Sequence, residues 1–151
     1  MKLPVNKLTF DVFQHETEDK SKIFLGLQQL FQLELHDSLE KMVTTETITG
    51  YHENVILKYR LELSKGKETQ NMFLYMMTNI LRSVSFYDLL ERITEEGELF
   101  IRLNKQELIK GSFVIDSSSD VYKIVIKFLF FNKNINKINE IYEYLKSLPL
   151  E

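Results

Sequence analysis

Three histidines, His15, His36 and His52, are the first residues to weigh for metal or acid–base chemistry. They fall in separate segments, without the i, i+3 or i+4 pairing that puts two ligands on one helix face, so no metal site is predicted. His15 stands next to Glu16, Glu18 and Asp19. Acidic residues at a helix start oppose the positive end of the backbone dipole, and that role is preferred here over catalysis. The chain has no cysteine, which removes disulfides, thiolate nucleophiles and cysteine-ligated metals. No Walker loop, Gly-x-Gly-x-x-Gly or Gly-x-Ser-x-Gly motif occurs, so phosphate cradles and nucleophile elbows are not expected. Ser117, Ser118 and Ser119 read as turn residues, and Met72, Met76 and Met77 as core filling on a helix. A non-enzymatic chain without a cofactor is the expectation.

Cations on extended segments are more informative. If Leu57, Tyr59 and Leu61 face a core, Lys58 and Arg60 face away from it. Phe100 and Arg102 likewise oppose Leu99, Ile101 and Leu103, and Lys123 and Lys127 oppose Tyr122, Ile124, Ile126 and Phe128. Three strands then offer basic side chains to one surface, with Phe100 among them and Lys105 expected at its rim. Cations neutralise phosphates and a ring can stack on an unpaired base, so such a surface suits RNA. An ordinary solvated sheet face has the same pattern, and periodicity alone does not choose between the two.

The elements that must position these residues follow from periodicity. Leu8, Phe10 and Val12 alternate with Thr9, Asp11 and Phe13 as in a strand, and Thr17 is expected to cap a helix containing Ile23, Phe24, Leu27, Leu30 and Phe31. Residues 32–42 carry mixed signals and read as a connection. The β-branched run 43–49 and the alternation at 55–63 predict a hairpin around Gly50. Helices are predicted over 69–82, from Ser85 to near Gly97, and from about Ile135 to Leu148. Between the last two, residues 99–103, 113–115 and 122–130 read as three strands, the last two a hairpin. Hairpins separated by helices, without regular βαβ alternation, predict an α+β two-layer sandwich: a mostly antiparallel sheet with helices on one face and the other face open.

At 151 residues, with 44% hydrophobic and 27% charged residues and no repeat or linker-like segment, the chain fits one globular domain spanning 1–151. Its net charge of −3 lowers the expectation of nucleic-acid binding, although a local basic face can exist on an acidic protein. Residues 1–14 lack a signal peptide's apolar run, and 121–131 is too short to span a bilayer, so no membrane association and a cytoplasmic location are expected. Phe128, Phe130 and Phe131 are too apolar for a solvated strand end. Some should be covered by the C-terminal helix or, in a homodimer, by a second copy of the chain.

Several short motifs, in order, resemble the archaeal RNA-binding proteins described as predicted exosome subunits. His15-Glu16-Thr17-Glu18-Asp19 is similar to that family's His-x-Thr-Glu-Asp, and Gly50-Tyr51-His52-Glu53-Asn54 to its Gly-His-x-Gly-Asn hairpin. Leu99-Phe100-Ile101-Arg102-Leu103-Asn104-Lys105-Gln106, followed by Gly111, resembles its Leu-x-Leu-Arg-Leu-Asp-Lys-Gln strand and loop. Glu53 departs from a glycine, Val55 from a frequent proline, and Glu107 from a small residue. The resemblance, running from about Leu8 to Phe128, implies a two-layer sandwich similar to a ribosomal protein that binds ribosomal RNA, with RNA and an RNA-processing complex as partners. Without it, the face could equally serve a protein-interaction module, while a hydrolase using His15 or His52 ranks last.

Overall fold

The structure, a computed structural model, describes residues 3–31, 36–50, 52–132 and 134–148. Tyr51 of the hairpin motif and residues 32–35 of the uncertain connection lie outside these. The elements run β1 (Val5–Gln14), α1 (Lys20–Gln29), α2 (His36–Met42), β2 (Thr44–Thr49), β3 (Val55–Ser64), α3 (Lys67–Leu81), α4 (Phe86–Leu90), β4 (Glu98–Asn104), α5 (Lys105–Ile109), β5 (Val121–Phe128) and α6 (Lys137–Ser147). The strands form one sheet in the order β2-β3-β1-β5-β4, antiparallel at every junction. This is the α+β architecture expected from the sequence.

Helices cover one face because β1, β3, β4 and β5 point their large apolar residues that way, whereas the edge strand β2 buries none. Phe10 and Val12 of β1, Tyr59 and Leu61 of β3, Ile101 of β4, and Tyr122, Ile124, Ile126 and Phe128 of β5 are all buried. They meet Ile23 and Leu27 of α1, Phe73, Met76 and Ile80 of α3, and Ile141 and Leu145 of α6 in one cluster. Each side chain so buried stabilises the fold by about 1.5–3 kcal/mol. Phe73 meets Phe128 edge-on at 5.5 Å, and Phe24 meets Tyr59 at 5.0 Å. As the sequence predicts, α6 covers part of the apolar strand end: Phe128 lies 6.3 Å from Tyr144, whereas Phe131 is 85% exposed.

Several expectations need correction: the helix predicted from Ser85 to near Gly97 ends at Leu90, and residues 36–42 of the expected connection form α2. The cap of α1 is Asp19, not Thr17: its carboxylate accepts from the Ser21 amide at 2.9 Å and the Ser21 hydroxyl at 2.8 Å. These hydrogen bonds hold the Asp19 carboxyl below its ordinary pKa. Residues 105–109, read as a loop, form α5, capped by the Asn104 side chain accepting from the Glu107 amide at 2.9 Å. Finally, residues 113–115 are not a strand of a hairpin with β5. They join the outer edge of β4 through one bridge, Leu103 to Ile115, and the Asn104 amide donates to the Val114 carbonyl at 2.8 Å. The polar groups of that edge are thereby satisfied without a sixth strand.

Candidate nucleic-acid interface

Alternation and register decide what the helix-free face carries. The pairings of β3 with β1 and β2, and of β4 with β5, run without a register shift; the one irregularity falls between Val5 and Lys7 of β1. Side chains therefore keep to the faces their parity dictates. Arg60, Asp11, Lys123 and Arg102 form one row across β3, β1, β5 and β4. The next row is Glu62, Thr9, Val125 and Phe100, and beyond it stand Lys7, Lys127 and Glu98. On the far side of the Arg60 row, Phe13, Lys58 and Glu46 lie side by side. The structure thus brings Lys58, Arg60, Phe100, Arg102, Lys123 and Lys127 onto one surface from three strands.

These cations are not equivalent. Arg60 grips Asp11 with two hydrogen bonds, Nε to Oδ1 at 2.7 Å and a terminal nitrogen to Oδ2 at 2.9 Å. That hydrogen bonding and charge raise the Arg60 pKa, so the pair is planar, fixed and nearly neutral. Lys7 is paired with Glu62 at 3.4 Å. Arg102 donates to the Ser118 carbonyl at 3.2 Å, which orients the guanidinium without cancelling its charge. Lys58, Lys123 and Lys127 have no ion-pair partner within 4 Å among the described residues. Sequence reasoning passed over Lys7 and Phe13, although their alternation with Leu8, Phe10 and Val12 is the signal that places them on this face.

Thr9 and Val125 are short, and the long side chains around them leave a depression of about 320 Å³. Its lining includes Phe100, Lys123, Lys127, Arg60, Glu62 and Glu98. Only Phe100 and Val125 of this lining are apolar; they share the central row with Thr9, between the row of Arg60, Asp11, Lys123 and Arg102 on one side and Lys7 and Lys127 on the other.

Lys105 is the exception among the predicted contacts. It is 3% exposed, not at a rim, and its ammonium is fully used. It donates to the Phe13 carbonyl at 2.8 Å, to Asp120 Oδ1 at 2.7 Å, and to both Glu18 oxygens at 3.1 and 3.2 Å. The physical reason is parity: Lys105 follows Leu99, Ile101 and Leu103 onto the helix-covered side of β4 and, as the first residue of α5, lies beneath the turn between β1 and α1. The same contact accounts for two motifs, because the His-x-Thr-Glu-Asp-like and Lys-Gln segments meet through Glu18 and Lys105.

His15, Glu18 and Asp120 bring ligand-type atoms within 4.8 Å of one another. Asp120 was not anticipated beside His15; Nε2 of the imidazole lies 3.4 Å from its Oδ1. The Lys105 ammonium already occupies the position between the two carboxylates, so a metal there would have to displace it. Glu16 and Asp19 take no part: Glu16 accepts from the Val55 amide at 2.8 Å, and Asp19 caps α1. His52 is exposed in the β2–β3 loop, and the side chain of His36 falls outside the described residues.

A family model described as RNA binding matches residues 7–128. An RNA-binding protein of Pyrococcus abyssi is 28% identical over 130 residues, covering 83% of each chain. Among solved structures, a DUF54 protein of Methanothermobacter thermautotrophicus superposes with a TM-score of 0.76 at 23% identity, covering 95% of this chain and 99% of its own. A DUF54-family protein of Archaeoglobus fulgidus superposes with a TM-score of 0.71 at 21% identity, covering 93% and 99%. These two structural likenesses speak to the fold.

Proposed function

The chain belongs to this RNA-binding family, and from that premise we propose that it is a non-catalytic RNA-binding protein that contacts RNA through its helix-free sheet face. Lys58, Arg102, Lys123 and Lys127 supply the phosphate contacts, Arg60, held by Asp11, contributes orientation more than charge, and Phe100 is the stacking surface. Lys105 is withdrawn from the contact set, since its ammonium is spent on Glu18, Asp120 and Phe13. The observation that supports this reading best is the convergence of cations without an ion-pair partner among the described residues, Lys58 of β3 and Lys123 and Lys127 of β5, with Arg102 of β4, around Val125 and Phe100. We further propose that residues 1–151 act as one domain, in the cytoplasm, in association with an RNA-processing assembly such as the exosome. Among the described residues no helix is long and apolar enough to cross a membrane.

A second reading has its own observation. Phe131 is 85% exposed and Tyr87 71%, and either could anchor a protein partner away from the open face.

Titration of labelled single-stranded and duplex RNA over a salt series tests the proposal. Lys123→Ala should weaken binding to all sequences and reduce the log–log salt slope by about 0.7–0.9. Phe100→Ala should cost about 1–3 kcal/mol with the slope unchanged. Absence of binding at low salt would favour the protein-partner reading.

A further inference from the structure

Resting on the RNA reading, we infer that the depression beside Phe100 holds one unpaired base of a single strand, and that it takes adenine or cytosine in preference to uracil. Thr9, Val125 and Phe100 form one cross-strand row in the lining of the depression, and the Phe100 ring offers a surface suited to the flat face of a base. Its lining carries Asp11, Glu62 and Glu98 among Lys7, Arg60, Lys123 and Lys127, and Arg60 and Lys7 are already paired with Asp11 and Glu62, so the middle of the depression offers a phosphate no unpaired cation. Phosphates belong instead with Lys123 and Lys127. Four residues apart on one face of β5, these lie about 13 Å from each other, on either side of the row that holds Phe100 and Val125. A strand crossing the depression can therefore meet a cation before and after the base it leaves inside. A duplex cannot do this, because its bases stay paired and stacked.

The carboxylates also supply the selectivity. An ionised carboxylate only accepts hydrogen bonds. Glu62 is occupied by Lys7 at 3.4 Å and lies 3.9 Å from Arg60, whereas Glu98 has no ion-pair partner among the described residues. Its backbone is held in place, the amide donating to Thr94 Oγ1 at 3.2 Å and the carbonyl accepting from the Thr94 amide at 2.8 Å. Adenine and cytosine each present an exocyclic amino group to such an acceptor. Uracil presents an N–H flanked by two carbonyl oxygens, and these face the carboxylate with like charge.

The test is fluorescence anisotropy with short labelled oligomers of A, C and U at one low salt concentration, on the intact chain and on Glu98→Gln. Oligo(A) and oligo(C) should bind about tenfold more tightly than oligo(U) to the parent, the gain expected of one charge-assisted hydrogen bond. In Glu98→Gln the preference should collapse, since a carboxamide offers both a donor and an acceptor. Circular dichroism shows whether the variant keeps its fold. Equal binding of all three oligomers, or an undiminished preference in Glu98→Gln, overturns the pocket assignment and leaves the RNA reading standing. Failure of every oligomer to bind also overturns the pocket assignment, and a duplex RNA titrated at the same salt then decides the RNA reading, which falls only if the duplex fails to bind as well.

Discussion

Replacing Lys105 by Met removes one charge while keeping most of the apolar stem, and it separates a structural lysine from an RNA contact. In the parent the ammonium satisfies Glu18, Asp120 and the Phe13 carbonyl from a side chain only 4% exposed. Breaking a buried pair by removing one partner costs about 3–5 kcal/mol, because the other charge stays behind. Asp120, with a side chain 50% exposed, can return to water, whereas Glu18, at 19%, cannot do so fully. The loss should thus lie at the lower end, about 3 kcal/mol, or about 6–12 °C in Tm for a chain of this size. Urea unfolding measures it. RNA affinity and salt slope, read where the variant is still folded, should be unchanged. A stability loss below about 1 kcal/mol, combined with weaker RNA binding and a slope reduced by about 0.7–0.9, would refute the structural reading and return Lys105 to the interface.

Two further substitutions probe the scaffold. A Cβ on Gly26 would lie 2.1 Å from the Tyr122 hydroxyl oxygen, and Tyr122 is buried with that hydroxyl donating to the Ile23 carbonyl at 2.7 Å. Gly26→Ala should therefore destabilise by about 1–2 kcal/mol in thermal unfolding despite the better helix propensity, and adding Tyr122→Phe should recover part of the loss. An alanine variant as stable as the parent would mean that α1 can back away from the sheet. Glu53 has a φ of +61°, a left-handed conformation that disfavours residues with a Cβ. Glu53→Gly should gain about 0.5–1 kcal/mol, seen as a rise of about 1–4 °C in Tm, and a fall would show that the glutamate side chain stabilises the loop.

Much of this site is legible in the sequence because strand parity is a local property. Lys58, Arg60, Phe100, Arg102, Lys123 and Lys127 each lie opposite strongly apolar neighbours, and an unshifted register carries that local choice through the whole sheet. Parity does not report pairing. That Arg60 is neutralised by Asp11 depends on β3 lying beside β1, a contact between residues 49 apart in sequence. The rim position expected for Lys105 runs against its own parity, which sets it with Leu99, Ile101 and Leu103 on the buried side. What parity does not report is that Glu18 and Asp120, from two other segments, gather there to receive its charge. The left-handed residue at Glu53 was visible as a departure from the family's glycine, but its cost becomes apparent only with the backbone angle.

The distribution of charge explains how a chain of net charge −3 can offer a cationic face, and it bounds how strong that face can be. Asp11 and Glu62 each neutralise a neighbour, Arg60 and Lys7, so these pairs contribute orientation more than charge. Lys58, Arg102, Lys123 and Lys127 remain to displace counterions, while Glu46 and Glu98 stand beside Lys58 and Lys127 and weaken them. Two to four phosphates neutralised on a single strand correspond to a log–log salt slope between about −1.4 and −2.8. On the proposed reading, binding of that kind is modest in affinity and leaves discrimination to the row of Thr9, Val125 and Phe100 instead of bulk charge. A slope much steeper than −3 would require cations elsewhere, since the open face does not carry enough unpaired ones to produce it.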